Sequence, residues 1–162
     1  GQRVVETPIG HRGGISSFGF SPNNQLLATA GRDGIVRLWK LQDQPLTEQL
    51  STWQATQRSI TNLKFSPDNQ LLATAGEDGT VRLWDLKGQP LATWRVDQGL
   101  VKSISFSPDG RLLATTGSRG NAKLLQIESL DELMQRGCDW VRDYLQNNPD
   151  VSESDRRLIL DE

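Results

Sequence analysis

The chain has 162 residues, 35 % of them hydrophobic, with 18 Lys and Arg against 20 Asp and Glu. That apolar fraction is low for a self-contained core yet too high for disorder, and a formal net charge of −2 gives no whole-chain basis for binding nucleic acid. One cysteine, Cys138, rules out an intrachain disulfide and suits a reducing, cytoplasmic compartment, and no apolar run approaches the ~20 residues of a membrane span.

The first residues, "GQRVVETPIG", lack the basic-then-apolar order of a signal peptide and carry no initiating Met, so a piece of a longer protein is expected. Gly10-His11 follows, and then "ISSFGF" alternates with period two until Ser21-Pro22, where a strand must stop. "SPNNQ" carries the chemistry of a tight turn, "LLATAG" is a short apolar strand closed by Gly, and "RDG" turns the chain back into the β-branched strand "IVRLW".

The same order returns after the linker "LQDQPLTEQLSTW". "LLATAGEDGTVRLWD" at 71–85 matches "LLATAGRDGIVRLWK" at 26–40 in 12 of 15 positions. "ITNLKF" and "SPDNQ" stand ahead of it, and after "LWDLKGQ" the segment "PLATWRV" supplies a fourth strand. A third, degraded copy follows as "VKSISF", "SPDG" and "LLATTGSRGNAKLLQ". "FSP" thus recurs at Phe20, Phe65 and Phe106, 45 and 41 residues apart, with the excess placed in the linker, where loops absorb insertions at least cost. Four short antiparallel strands per repeat bury too little alone, so copies must pack face to face.

After "KLLQI" the pattern changes. Ser129 with Glu132 reads as a capping box, and Leu130, Leu133, Met134, Gly137, Val141, Tyr144 and Leu145 form one apolar stripe. Pro149 ends that helix near Asn147, and "SESD" caps a second, short helix toward Leu160. Residues 1–127 carry a net charge of +4 and residues 128–162 a net charge of −6, so a mildly basic body precedes an acidic tail.

Gly10-His11 ahead of a strand, "FSP" followed by Asn or Asp, a G-x-D-G turn and a closing "LWD" resemble the signature of WD-repeat β-propellers over about residues 1–127. The resemblance implies an all-β fold of about three four-stranded antiparallel blades in a partial ring, followed by an α-helical tail. On this reading residues 1–9 are the outer strand of a missing upstream blade. Residues 10–54 and 55–96 are complete blades, 97–127 an incomplete one, and 128–162 the tail. The tail resembles the C-terminal extension of large bacterial WD-repeat proteins, in which the propeller is often the sensor end of a signalling nucleotidase or protease-like effector.

The family also implies a hydrogen-bonded chain of His, Thr, Asp and Trp tying each blade together. The matching residues are His11, Thr29, Asp33 and Trp39 in the first repeat and Thr74, Asp78 and Trp84 in the second, where Thr56 replaces the histidine. In the third only Thr115 remains, because Asp97, Arg119 and Leu125 occupy the other places. Arg12, Arg32, Arg58, Glu77 and Arg119 are expected on loops at one face and are the candidate partner-binding residues.

The function implied is a non-enzymatic scaffold that binds a protein partner, or alternatively a regulatory segment of a larger signalling NTPase or protease-like enzyme. No catalytic residue, cofactor or metal site is expected. There is no Gly-x-Ser-x-Gly elbow, no G-x-x-x-x-G-K-[ST] loop, and one His with one Cys makes no familiar ligand set. Mixed charge without interleaved aromatics on the loop face argues against nucleic acid. Cys138 lies beside Gly137 and Asp139 and is expected to be an inert, packed thiol. Three blades cannot close a ring of about seven. Further blades are expected either from the parent chain or from identical copies joined as a six- or nine-bladed ring.

Overall fold

A computed structural model describes residues 10–41, 48–56, 58–96 and 99–127 of the protein. The chain divides into two compact units, residues 1–126 and 127–162. The strand expected over 1–9, Asp97 and the helices expected over 128–162 lie outside the described residues. Within them there are eleven strands and no helix.

The strands are β1 (Ile15–Phe20), β2 (Leu26–Gly31), β3 (Ile35–Lys40), β4 (Gln49–Gln54), β5 (Ile60–Phe65), β6 (Leu71–Gly76), β7 (Thr80–Asp85), β8 (Pro90–Arg95), β9 (Val101–Phe106), β10 (Leu112–Gly117) and β11 (Ala122–Gln126). They form two antiparallel four-stranded blades in sequence order, β1 to β4 and β5 to β8, and a third of β9, β10 and β11. Pro90 opens β8 on an outer edge, where the missing N–H costs no ladder bond.

The turns form for local reasons. At the first-to-second-strand turn, Ser21 Oγ accepts the Leu26 N–H at 2.9 Å and donates to Asn23 Oδ1 at 2.7 Å. Ser66 with Asp68 and Ser107 with Asp109 repeat the arrangement. Asn24 and Asn69 sit at φ of 58° and 63°, the left-handed region that Asn tolerates, and Gly110 takes the third copy at 74°. In the second-to-third-strand turn Asp33 Oδ1 accepts the Ile35 N–H at 3.2 Å, and Asp78 does the same for Thr80 at 3.0 Å.

Period-two alternation gives each blade two faces. Leu26, Ala28, Ala30, Val36 and Leu38 share one face of the first blade, as their cross-strand pairing shows. They pack on Ile60, Leu63, Phe65, Leu72 and Trp84 of the second, and most of this set is fully buried. Gly19 marks how closely the blades approach, because a Cβ there would stand 3.4 Å from the Leu63 side chain. The third blade packs on the second in the same sense, burying Val101 and Ile104.

Candidate functional site

Antiparallel pairing brings the start of each blade's first strand beside the end of its second: Ile15 pairs with Gly31, Ile60 with Gly76 and Val101 with Gly117. The segment entering the first strand and the turn leaving the second are therefore neighbours at one end of every blade. His11 and Arg12 meet the turn at Asp33 there, and Thr56 meets the turn at Asp78.

In the first blade the Trp39 indole N–H donates to Thr29 Oγ1 at 3.1 Å, and that oxygen lies 3.0 Å from His11 Nε2. His11 Nδ1 is 3.0 and 3.2 Å from the two Asp33 oxygens. A carboxylate only accepts, so Nδ1 carries a proton and donates to Asp33, while Nε2 and the Thr29 hydroxyl are hydrogen-bonded to each other. The chain runs Trp39 to Thr29 to His11 to Asp33 without an orphaned group. Arg37 Nη1 stands 2.8 Å from Nδ1, a nitrogen that already donates, so this approach is a contact and not a bond. The guanidinium instead faces Asp33 Oδ2 at 3.6 Å and donates to the Gly10 carbonyl at 3.1 Å.

In the second blade Trp84 again donates to Thr74, at 2.9 Å. Thr56 Oγ1 donates to Asp78 Oδ2 at 3.1 Å, but a hydroxyl is too short to bridge back to Thr74 as imidazole does. Asp78 is filled from its own side: Thr80 donates its hydroxyl at 2.6 Å and Arg82 its guanidinium at 3.1 Å. The network has become two shorter ones.

Burial raises the pKa of the Asp33 carboxyl, but the His11 hydrogen bond and the backbone N–H groups of Ile35 and Arg12 outweigh it, leaving the group below the usual carboxylate value. Asp78 shows the same balance. Burial raises it, and Thr80 with Arg82 brings it down further than burial lifts it. Both acids are thus held as acceptors with their lone pairs in use. The His11 side chain is 1 % exposed, and Thr29 is equally enclosed. Among the described residues no three His, Cys, Asp or Glu side chains are grouped to hold a metal ion.

The third blade keeps a buried Thr115 beside the half-buried Leu125, which offers no donor. Lys123 takes the register position of Arg37 and Arg82 and donates to the Val96 carbonyl. A pocket of about 140 Å³, lined by Val96, Thr115, Gly117, Arg119, Asn121 and Lys123, lies at this level of the blade.

The five candidate partner-binding residues lie at this same end, and all are exposed. The backbones of four of them are fixed by hydrogen bonds, and their side chains are exposed. The Arg12 N–H donates to Asp33 Oδ2 at 3.0 Å, and that of Arg58 to Thr56 Oγ1 at 3.2 Å. Arg32 and Glu77 donate their N–H groups to Gly14 and Ser59 carbonyls at 3.2 and 3.0 Å. Arg119 holds the register position of Asp33 and Asp78 and lines the pocket.

Four participants do not stand out from the motif: Arg37, Arg82, Thr80 and Gln54. The two arginines had a signal, since each follows its turn Asp by four residues in both near-identical repeats. Gln54 had none. Its amide donates to the Asp33 carbonyl at 3.0 Å and to that of Thr56 at 2.5 Å, clamping the turn to the crossover between blades.

A family model described as WD domain, G-beta repeat matches the chain three times, over residues 2–40, 47–85 and 88–124. Comparison with curated proteins finds no match. The second matched stretch spans β4 to β7, and the third begins just before β8 and runs into β11. The second and third sequence repeats are therefore each offset by one strand from the blades, so that the first strand of each completes the blade before it.

Proposed function

The chain belongs to the WD-repeat family, and from that premise we propose that it is a non-enzymatic scaffold that binds a protein partner through the turn end of its blades. One observation carries this reading. The two near-identical repeats differ at only three of fifteen positions, Arg32 against Glu77, Ile35 against Thr80 and Lys40 against Asp85, all at strand ends or turns. Inside, the repeat is fixed by bonds and packing. Outside it varies in charge, at Arg32 against Glu77 on the turn end and at Lys40 against Asp85 on the opposite end, and the turn-end position is the one that joins the other candidate partner-binding residues.

Arg12, Arg32, Arg58 and Arg119 mixed with Glu77 favour a protein surface of matched charge over a nucleic-acid backbone, which would call for one sign and stacking aromatics. The single cysteine favours a cytoplasmic setting. The acidic segment 128–162 supports a second reading of the same surface. It would be the sensor end of a larger bacterial signalling NTPase or protease-like enzyme, with chemistry carried elsewhere on the parent chain. The test is affinity capture with the wild-type chain against Arg32→Glu and Glu77→Arg. Proteins retained by the wild type and lost from both variants, at unchanged melting temperature, support the surface. Retention by both variants overturns it.

A further inference from the structure

We propose that the pocket at the turn end of the third blade binds a carboxylate side chain presented by the protein partner, at the place where Asp33 and Asp78 stand in the other two blades. The inference rests on the scaffold reading above and names the chemistry that the scaffold recognises.

Position by position, the pocket repeats the surroundings of Asp78. Cross-strand pairing sets Thr115 against Lys123 as it sets Thr74 against Arg82, and it puts Asn121 at the position of Thr80. Val96 corresponds to Ala55, since each donates its N–H to the carbonyl of the glycine closing the preceding blade's turn, Gly79 and Gly34 respectively. In the second blade the Asp78 carboxylate accepts the Thr80 N–H at 3.0 Å, the Thr80 hydroxyl at 2.6 Å and the Arg82 guanidinium at 3.1 Å. The third blade keeps side-chain donors at both places, Asn121 and Lys123. Its turn, however, reads Gly117-Ser118-Arg119-Gly120 and brings no carboxylate.

Gly117 adds an independent observation. A Cβ on Gly76 would fall 2.5 Å from Asp78 Oδ1, and Asp33 crowds Gly31 in the same way, so glycine at this place makes room for an acid. None of the three takes a positive φ, so backbone conformation does not call for glycine there. The third blade thus retains the space for a carboxylate that its own turn lacks. A pocket of about 140 Å³ lies against Gly117 and Thr115. A water molecule's share of liquid volume is about 30 Å³, so the end of an Asp or Glu side chain fits.

The charge suits the same ligand. Arg119 puts a cation on the pocket wall where the other blades have an acid, and Lys123 is exposed where Arg37 and Arg82 are half-buried. Lys123 donates to the neutral Val96 carbonyl, and an ammonium has two further N–H groups to give. Arg119 has a partner of its own, so the ligand is placed on Lys123 and Asn121, with Arg119 contributing charge. The class of anion follows from the two copies already in the chain, where these positions surround a carboxylate.

NMR titration of the backbone amides of the full 162-residue chain tests this. The probes are sodium acetate, the blocked peptide acetyl-Gly-Asp-Gly-amide, its Asn counterpart and inorganic phosphate. Acetate and the Asp peptide should shift Gly117, Asn121 and Lys123 saturably, and the Asn peptide and phosphate should bind more weakly. Lys123→Gln, at an exposed position, should weaken the Asp peptide by more than about tenfold, as loss of a charge-assisted hydrogen bond does. Arg119→Asp should abolish binding at a retained melting temperature, because the chain then supplies the acid itself. Arg119→Gln, which removes the charge without filling the pocket, should weaken binding less. No saturable shift at these residues overturns the proposal, as does equal binding of the Asp and Asn peptides, preference for phosphate, or full affinity in Lys123→Gln. Binding that appears only once Asp97→Asn is made also overturns it, since the chain's own acid is then the occupant. Lys123→Gln in the affinity capture separates this from the scaffold reading. A partner lost from the Arg32→Glu and Glu77→Arg variants but kept by Lys123→Gln overturns the carboxylate site and leaves the scaffold standing.

Discussion

Trp53 and Trp84 stand with ring centroids 6.0 Å apart and planes inclined at 48°, one from the outer strand of the first blade and one from the third strand of the second. Trp84 thus has two tasks. Its N–H closes the Thr74 bond within its own blade, and its ring face packs the neighbouring blade. Gly88 leaves the room for this, since a Cβ there would fall 2.8 Å from the Trp53 ring. Trp84→Ala should therefore cost about 3–5 kcal/mol, as expected for a large buried aromatic. Leu125→Ala, at the matching but half-buried place in the third blade, should cost clearly less. Urea denaturation of both variants measures the difference, and equal losses would mean that the repeats are aligned wrongly.

The strands, their turns and the three-fold repeat were readable because each depends on residues close in sequence. "LLATAG" alternates, Ser-Pro stops a strand, and Asp-Gly turns it. The bonds from Thr29 to Trp39 and from Thr74 to Trp84 were implied by the resemblance to WD repeats, and in the structure each lies within one hairpin. What the sequence did not disclose are contacts that require two blades to be placed against each other. The tilt of Trp53 on Trp84 is one. The Gln54 clamp on the next crossover is another, and the Thr61 hydroxyl donating to the Val101 carbonyl of the third blade at 2.6 Å is a third. Nor did the exchange of His11 for Thr56 announce that Arg82 and Thr80 would fill Asp78 from the other side.

Acid should weaken the fold through Asp33 and Asp78. Burial works against each carboxylate, but hydrogen bonds from His11 in one case and Thr80 in the other prevail, so both carboxyls lie below the usual aspartate value in the folded state. A depressed carboxyl contributes stability that is fully present above its unfolded pKa and lost as pH falls through the folded one. Melting temperature should thus fall below about pH 4. In Asp33→Asn and Asp78→Asn it should start lower at neutral pH and fall less steeply. Parallel curves for wild type and variants would count against the assignment.

Gly34 is held at φ +73°, and a Cβ there would stand 2.0 Å from the Thr56 carbonyl oxygen and 2.7 Å from that of Arg58. Its counterpart in the third blade, Gly120, has φ +76° but open space around it. Both alanine variants meet the backbone penalty of about 1 kcal/mol for a positive φ. Only Gly34→Ala must also displace the crossover into the second blade. It should lose several times more stability than Gly120→Ala in thermal denaturation, and a similar loss in the two would show that the crossover yields easily.

The third blade can be tested by restoring what it lacks. Thr115 is buried at the position where Thr29 and Thr74 accept an indole N–H at 3.1 and 2.9 Å, and Leu125 provides none. Trp94 ends the preceding blade at the place of Trp53, so a tryptophan at 125 would meet both a hydroxyl and a ring. One net hydrogen bond contributes about 1 kcal/mol and an aromatic pair about as much again, against which crowding of the site must be set. Leu125 is only half-buried, which leaves room for the larger side chain to settle outward. Leu125→Trp should therefore raise stability by about 1 kcal/mol. The gain should shrink when Thr115→Val is added, because the hydroxyl acceptor is then gone. A double-mutant cycle isolates that shared part. If Leu125→Trp destabilises the protein, or if its gain is the same with valine at 115, the third blade is not a damaged copy of the other two.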